Sequence, residues 1–333
     1  MASTSPIKKV AIVGVSCNTL ILFKSQRTYN HQAGGNCGKY ITEALLKTGK
    51  HTVTAITRID SNTPLPSGIH EIKKLDYSDR SSLVDALRGQ DAFIVTISIP
   101  AQDQVVNLYQ AAAEAKVPWV LPNEWGVDTQ NEELGKDIIV GPPNKKNREL
   151  IESLGVSSWI VVSTSFWYEW SLAMPLGFGF DFDKREVTLY DEGEVKINTS
   201  TWPQVGRAVA SLLSLEASKL DQFRNTWVYI SSFKVSQKDL LESVLRVTGT
   251  KLEDWKISKE PSHQRYAEGL EQFKKGDMMG FPKLLYTRVF YPDGSGCVED
   301  SRKLHNDVLG LPKEDLDEFT KLAIKRAADL KAA

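Results

Sequence analysis

The sequence predicts an α/β protein in which a doubly wound parallel sheet is followed by a second, smaller C-terminal lobe. In residues 8–126, short β-rich runs alternate with amphipathic helical stretches, which is the pattern of successive βαβ units. Beyond residue 165 the sequence becomes rich in aromatic residues, prolines and glycines. We therefore expect residues 1–162 to form the sheet domain and residues 163–333 to form the second lobe.

Six strands and four helices are predicted in the first half. Most of the strands are short runs of β-branched and apolar residues, and the helices carry apolar residues along one stripe. Ser78 is the predicted N-cap of the second helix. The predicted strands are Lys9–Val13, Thr52–Thr57, Glu71–Leu75, Ala92–Ile97, Trp119–Leu121 and Trp159–Val162, and the helices are Tyr40–Lys47, Arg80–Leu87, Gln104–Ala115 and Asn144–Leu154.

The second half is predicted to be mostly helical, with one hairpin. Asp191-Glu192-Gly193 is a turn sequence between two short β-rich runs, which predicts a hairpin over Glu186–Ile197. Residues 227–231 are predicted to return to the main sheet as a seventh strand. The predicted helices are Pro203–Leu215, Gln237–Val247, His263–Phe273 and Lys313–Lys331.

Composition narrows the classes of partner. The chain has 41 Lys and Arg residues against 42 Asp and Glu residues, a net charge of −1, which argues against nucleic acid and membrane surfaces as partners. Its three cysteines and five histidines are scattered without ligand spacing, so we predict no metal. No apolar run approaches the roughly 20 residues of a membrane helix. We expect a cytoplasmic protein.

A glycine-rich turn follows the first predicted strand, but it is split. Gly14 ends the strand, and the rest of the turn, Ala33-Gly34-Gly35-Asn36-Cys37-Gly38, comes only after Val15–Gln32. Such turns bind a dinucleotide diphosphate, because glycines let the backbone approach the phosphates at the start of a helix. Gly14, Gly34, Gly35, Asn36, Cys37 and Gly38 are therefore the candidate phosphate-binding residues.

The interrupting stretch has the properties of a retained intron. Its first residues, Val15-Ser16, can be encoded by GTGAGT and its last, Gln32, by CAG, which are the ends of a spliceosomal intron. Its removal joins Gly14 to Ala33 and restores an uninterrupted G-x-x-G-x-x-G turn. The alternative is a genuine surface insertion, which closes at little entropic cost when its ends lie close together. We favour the retained intron.

Residues at the ends of the next strands indicate the cofactor. Thr57-Arg58 ends the second strand, where an arginine can pair with the 2′-phosphate of NADP(H) and an acidic residue would bind the ribose of NAD. Asp60 could still serve that ribose. Asp76, after the third strand, could face the adenine or begin an Asx turn. At the cofactor crevice we place Thr96 and Ser98 from the fourth strand end and Pro122 and Asn123 from the fifth.

Several segments together identify a family resemblance. The chain resembles the NmrA-like and isoflavone-reductase-like branch of the atypical short-chain dehydrogenases, and its fungal members in particular. This resemblance implies an NADP(H)-binding Rossmann domain and a smaller substrate-binding lobe. The segments that carry it are the rejoined glycine turn, Ala55-Ile56-Thr57-Arg58, Val120-Leu121-Pro122-Asn123-Glu124-Trp125-Gly126, Asn147-Arg148-Glu149-Leu150-Ile151-Glu152 and Trp202-Pro203-Gln204-Val205-Gly206-Arg207-Ala208-Val209-Ala210.

The resemblance also implies a catalytic lysine, which this chain does not have in register. The family lysine aligns with Asn144, so Lys145, or Lys146 beside it, is the candidate catalytic residue after a one-residue shift. A lysine in this role needs a lowered pKa. Asn123 is the second candidate catalytic residue. The alternative is that both lysines are only solvated charges at the start of a helix.

Aromatic residues after the sixth strand suggest a substrate wall. Phe166, Trp167 and Trp170 could enclose a flat ligand, or could instead join the two lobes. With the resemblance, they predict an NADPH-dependent reductase of a small aromatic, quinone-like or enone-like metabolite. The alternative is an NADP(H)-binding redox sensor of the NmrA type, without turnover and with a protein partner. A third hypothesis is that Val15–Gln32 abolishes nucleotide binding altogether.

Overall fold

The computed structural model describes residues 6–15, 33–97 and 104–332. The strands are β1 (Lys9–Val13), β2 (Thr52–Arg58), β3 (Glu71–Leu75), β4 (Ala92–Val95), β5 (Trp119–Leu121), β6 (Ser158–Ser163), β7 (Phe166–Trp167), β8 (Phe180–Asp181), β9 (Glu186–Tyr190), β10 (Ile197–Ser200), β11 (Thr226–Tyr229), β12 (Phe233–Val235) and β13 (Lys256–Glu260). The helices are α1 (Ala33–Thr48), α2 (Arg80–Leu87), α3 (Val105–Glu114), α4 (Glu132–Asp137), α5 (Gly141–Ser153), α6 (Tyr168–Ala173), α7 (Pro175–Phe178), α8 (Trp202–Leu213), α9 (Ala217–Leu220), α10 (Gln237–Thr248), α11 (Ser262–Lys274), α12 (Gly280–Arg288) and α13 (Leu316–Ala332).

The main sheet is parallel and doubly wound, as predicted. Its seven strands run in the order β11-β6-β5-β4-β1-β2-β3. The chain reverses direction across the sheet between β1 and β4, which is where such folds bind ligands. Helices α1 and α8 cover one face, and α2, α3 and α5 cover the other. The predicted seventh strand is confirmed, since β11 pairs in parallel with β6 at the edge of the sheet.

The second half contains two small sheets where one hairpin was predicted, so that prediction is wrong. Gly193 does close a turn, because its N–H donates to the Tyr190 carbonyl at 2.9 Å. The two strands then separate. β9 pairs with β8 and β13, whereas β10 pairs with β7 and β12. All four residues of β10 are buried, and partners on both sides satisfy its backbone.

The structure corrects one predicted N-cap and one predicted helix start. The second helix begins at Arg80 as predicted, but its N-cap is Asp79, whose carboxylate accepts the Ser82 N–H at 3.2 Å. Ser78 instead donates its N–H to Asp76. Helix α5 begins three residues before the predicted start, because Pro142 and Pro143 fit its first turn, where their missing N–H groups are not needed.

The two halves of the chain share a core on the α1 face of the sheet. Residues of α8, including Val205, Ala208 and Val209, are fully buried in the same apolar cluster as Ile41 and Leu45 of α1. Within the described ranges, no helix is long and apolar enough to cross a membrane.

Candidate cofactor crevice and neighbouring active-site residues

The ends of β1 and β4 meet α1 at the switch point of the sheet. Gly14 follows β1 with φ of +86°, a conformation that glycine adopts without strain. Thr96 follows β4, and both its N–H and its hydroxyl donate to the Val13 carbonyl, at 3.0 and 2.7 Å. Gly38 of α1 packs directly against this pair. Three of the predicted cofactor-binding residues therefore converge, although Gly14 and Gly38 are separated by the long stretch 15–32.

The packing around Gly38 fits the close backbone approach of a dinucleotide site. A Cβ atom at Gly38 would lie 2.5 Å from the Gly14 carbonyl oxygen and 2.5 Å from Thr96 Oγ1, so only glycine fits. Gly34 and Gly35 belong to the first turn of α1. The Asn36 and Cys37 side chains are buried, and burial raises the pKa of the Cys37 thiol. The thiol therefore stays neutral near pH 7.

The ends of β2 and β3 carry the residues predicted to select the cofactor. The Arg58 side chain is 58% exposed and its Nε lies 3.3 Å from the Asp60 carboxylate. Thr57 is buried, and its hydroxyl has no hydrogen-bond partner in the described part of the chain. Asp76 forms the Asx turn, because its carboxylate accepts the Ser78 N–H at 2.9 Å, and this bond lowers the pKa of Asp76.

Asn123 joins the end of β5 to the crevice. Its side-chain amide donates to the Ile97 carbonyl at 3.0 Å, and its backbone N–H donates to the Tyr109 hydroxyl at 3.0 Å. Pro122 before it is buried. Asn123 is thereby fixed between strand ends. Ser98, which was also predicted to line this crevice, lies outside the described residues.

The candidate catalytic lysines lie on the outer side of α5. Lys145 is exposed, and its Nζ lies 2.9 Å from the Glu132 carboxylate. This hydrogen bond raises the pKa of Lys145, opposite to the shift that a general acid or base near neutral pH needs. Lys146 is exposed as well. Asn144 is half-buried and lies on the face of α5 that carries the buried Arg148 and Ile151, so an amide stands at the position nearer the core.

A buried ion pair connects α5 to the loop that carries Asn123. Both carboxylate oxygens of Glu124 lie 2.6 Å from Arg148 Nη1, and the Thr129 hydroxyl also donates to this carboxylate. Burial raises the pKa of Glu124, and the Arg148 guanidinium acts in the opposite direction. The pair was missed at the sequence level, although both residues lie in the segments that carry the family resemblance.

The three predicted substrate aromatics separate into two groups. Phe166 points into the core of the second lobe and stacks on Tyr286, with ring centroids 4.3 Å apart. Trp167 and Trp170 instead flank the buried Trp202, at 6.3 and 6.4 Å. Trp202 also stacks on Tyr40 of α1, at 5.8 Å. Trp167, Trp170 and Tyr40 are half-buried, so this aromatic group, not Phe166, lies between α1 and the second lobe.

A buried carboxyl group lies beside this aromatic group. Glu169 is 4% exposed, and its carboxylate accepts a hydrogen bond from the backbone N–H of Trp202 at 3.2 Å. Burial raises the pKa of Glu169 to about 7. Glu314 acts in the same direction, and the Arg326 guanidinium, which lies over the Trp170 and Trp202 rings, acts against it. Glu169 therefore titrates near neutral pH in the folded protein.

Sequence comparisons agree with this geometry. Residues 33–138 match a family described as NAD(P)H-binding. The chain is 28% identical over 298 residues to the oxidoreductase aprR of Aspergillus flavus, which covers 88% of this chain and 97% of that protein. It is 26% identical over 294 residues to the oxidoreductase poxI of Penicillium oxalicum. This alignment covers 86% of this chain and 90% of that protein.

Solved structures share the fold over nearly the whole chain. AtPrR2 with NADP⁺ and (+)-pinoresinol superposes with a TM-score of 0.72 at 17% identity, covering 96% of this chain and 99% of that chain. An isoflavone reductase superposes with a TM-score of 0.71 at 16% identity, covering 94% of this chain and 98% of that chain. The NADPH-dependent quinone oxidoreductase QOR2 of Escherichia coli, solved with NADPH, has a TM-score of 0.64 at 16% identity, with the same coverage of both chains. The predicted family resemblance is therefore confirmed: the chain contains an NAD(P)H-binding domain and has the fold of the isoflavone-reductase-like proteins.

Proposed function

We propose that the protein is an NADPH-dependent reductase of a small aromatic, quinone-like or enone-like metabolite. The contact between Gly14, Gly38 and Thr96 carries this proposal, because it forms the close-packed glycine junction that a dinucleotide diphosphate requires. The fungal oxidoreductases that match most of the chain support a redox function.

Arg58 supports NADPH over NADH. Its guanidinium ends β2 in an exposed position, and its ion-pair partner, Asp60, is also exposed. A 2′-phosphate could therefore pair with Arg58 without the cost of breaking a buried interaction. The diphosphate of the cofactor would be held by Gly14, Gly34, Gly35 and Gly38. The nicotinamide end of the cofactor would be bordered by Pro122 and Thr96.

The chain's own residues would orient the reactants and exclude water. NADPH, when bound, supplies a hydride. Asn123, held by Ile97 and Tyr109, would present a fixed polar edge beside an electrophilic substrate. Trp167 and Trp170 offer half-buried aromatic surface that suits a flat ligand. Lys145 could deliver a proton only after leaving Glu132, so its catalytic role stays a prediction.

Anaerobic turnover tests the proposal. The full chain and a variant without residues 15–32 are each mixed with NADPH and a panel of quinones, enones and aromatic ethers. We expect NADPH oxidation with at least one class, and slower oxidation with NADH. An absence of turnover across the panel by a variant that demonstrably binds NADPH would contradict the reductase.

A non-catalytic NADP(H) sensor is the second candidate. Asn144 on the inward face of α5 and the exposed Lys145–Glu132 pair favour it, because neither supplies a proton donor with a lowered pKa. For a sensor we expect NADPH binding without turnover, together with a protein partner whose binding changes between NADPH and NADP⁺.

A further inference from the structure

Strand β13 forms an open edge of a small sheet in the second lobe. The strand order of that sheet is β13-β9-β8, so among the described strands β13 has a neighbour on one side only. The backbone N–H of Lys256 and the backbone carbonyl of Glu260 bond to residues that flank β9. Because the direction of hydrogen bonding alternates along a strand, Ile257 and Lys259 direct their N–H and carbonyl groups to the open side.

The open edge also exposes apolar surface. Ile257 pairs in register with Val187 of β9, which is buried in the core of the second lobe. Paired residues of neighbouring strands have their side chains on the same face, so Ile257 lies at the margin of that core. Ile257 is nevertheless 39% exposed, and Leu252, shortly before the strand, is 54% exposed. A further strand on this edge would cover apolar surface and also satisfy the open backbone groups.

The sequence of β13 is complementary to itself in one antiparallel register. With Ser258 opposite its own copy, Ile257 and the partner's Lys259 would exchange both backbone hydrogen bonds, and the symmetric pair would do the same. Lys256 would then stand directly opposite the partner's Glu260 in a non-hydrogen-bonded pair, where side chains are closest. Opposite charges would therefore meet on both sides of Ser258.

The lysines of β13 do not oppose this register. Lysines on an edge strand usually discourage pairing with another chain. Here Lys259 would face the partner's Ile257, over which its aliphatic stem can lie. A register in which each strand is moved by one residue toward Glu260 would instead place the two copies of Lys259 opposite each other. The charges thus favour pairing centred on Ser258.

The charged ends of β13 can take a further partner. Lys256 Nζ lies 2.9 Å from the Glu186 carboxylate, and 74% of the Lys256 side chain is exposed. Glu260 bonds to Arg265 through Oε2, and 44% of the Glu260 side chain is exposed. A carboxylate has two acceptor oxygens, and an ion pair at the surface rearranges at little cost. Both groups are therefore available to a second chain.

We propose that β13 is a dimerisation edge, at which a second copy of this chain adds its own β13 in antiparallel orientation about a two-fold axis at Ser258. The two small sheets then form one continuous sheet in the order β8-β9-β13-β13-β9-β8. Two five-residue strands bury less surface than a permanent dimer requires, so the dimer exchanges with monomer in the micromolar range. The inference does not depend on the proposed reductase activity.

Sedimentation velocity of the full chain from about 1 to 200 µM tests the proposal. We expect monomer at the lowest concentration and a dimer fraction that grows as the concentration rises. Lys259→Pro removes an N–H that faces the open side, so it should abolish the dimer without disturbing the pairing with β9. Monomer throughout the range for the wild-type chain would overturn the proposal.

Ser258 provides a test of the register, because it is the residue that faces its own copy. S258K and S258E each place like charges opposite each other, so each should weaken dimerisation by roughly tenfold. An equal mixture of the two variants should restore the dimer, since opposite charges then meet. Ser153→Lys adds the same charge at an exposed position on α5 and should dimerise like the wild type.

The mixture also separates the charge effect from any local damage. The Ser258 side chain is exposed, and both variants lose its hydrogen bond with the Thr188 hydroxyl. Thermal unfolding of each variant checks that it folds. Equal dimerisation of S258K and the wild type would overturn the proposal, as would a mixture of S258K and S258E that stays monomeric.

Discussion

Gly38 lacks a side chain at the point where the first strand, the fourth strand and the first helix meet. Gly38→Ala would force a methyl group against the Gly14 carbonyl and the Thr96 hydroxyl, each 2.5 Å from the new Cβ. Overpacking of this kind costs about 1–3 kcal/mol, so we expect NADPH affinity to fall roughly ten- to a hundredfold. Fluorescence titration with NADPH measures this affinity.

Gly126→Ala is the matched control for that substitution. Gly126 has no atom within 4 Å of an added Cβ, so the same chemical change is made without a clash. Equal NADPH affinity in the Gly38 and Gly126 variants would show that the glycine junction does not hold the cofactor.

Arg58 gives a second prediction for a single residue. Arg58→Ala removes the cation proposed to bind the 2′-phosphate, so NADPH binding should weaken by roughly tenfold while NADH binding stays constant. Arg88→Ala serves as the control, because Arg88 is also exposed and paired with a nearby aspartate, Asp85. A parallel loss of affinity for both cofactors would contradict the assignment.

From the sequence, the position of the catalytic lysine could be predicted only to within one residue. The family alignment left Asn144 and Lys145 as alternatives for one position. Successive residues of a helix point about 100° apart, so a shift of one residue changes which side chain faces the interior. Sequence spacing cannot decide this, whereas the contacts of α5 do: Asn144 is half-buried and Lys145 binds Glu132.

At the scale of elements, the parallel sheet was predictable because its strands are short apolar runs separated by helices. The second lobe was harder, because its strands are short and their partners are distant in sequence. Phe166 and Trp167 occupy adjacent positions of β7, so their side chains point to opposite faces. The predicted substrate aromatics were therefore divided between the lobe core and the Trp202 group.

Glu169, buried where α6 meets α8, gives a pH prediction. Its folded-state pKa of about 7 exceeds the usual 4.5, so between these pH values the unfolded chain loses the proton first. The free energy of unfolding should then fall as pH rises, by up to about 3 kcal/mol. The Glu169→Gln variant keeps an acceptor for the Trp202 backbone N–H but carries no charge. Its free energy of unfolding should therefore not fall in this way.

Urea unfolding at pH 4.5, 6 and 8 measures the effect. The Glu169→Gln variant should be close to wild type at pH 4.5 and more stable at pH 8. Glu253→Gln, at an exposed position, should follow the wild-type curve throughout. Parallel pH profiles for Glu169→Gln and wild type would contradict a raised pKa at this carboxyl.

At the scale of the molecule, the stretch 15–32 interrupts the junction proposed to bind the cofactor. Gly14 and Gly38 are in contact on either side of it, and the NAD(P)H-binding family match begins at residue 33. Both observations support the proposal that Val15–Gln32 is a retained intron. Deletion of residues 15–32 shortens the connection to the length of a G-x-x-G-x-x-G turn, and we expect roughly tenfold tighter NADPH binding.

A Gly/Ser linker of equal length in place of residues 15–32 separates the effect of length from that of sequence. Affinity no better in the deletion than in the full chain would contradict the proposal, as would transcripts that all retain the segment. The deletion replaces the fully buried Val15 with Ala33 after Gly14, so its thermal stability should be measured in parallel.

The edge strand β11 makes the nucleotide-binding half dependent on the rest of the polypeptide. β6 ends at Ser163, and the strand that covers its open side begins only at Thr226. During synthesis on the ribosome, β6 therefore emerges with unsatisfied amides and carbonyls until some sixty further residues have followed. A fragment that stops at residue 162 would expose an apolar edge that favours self-association, so the first half is not a unit that could be exchanged between proteins.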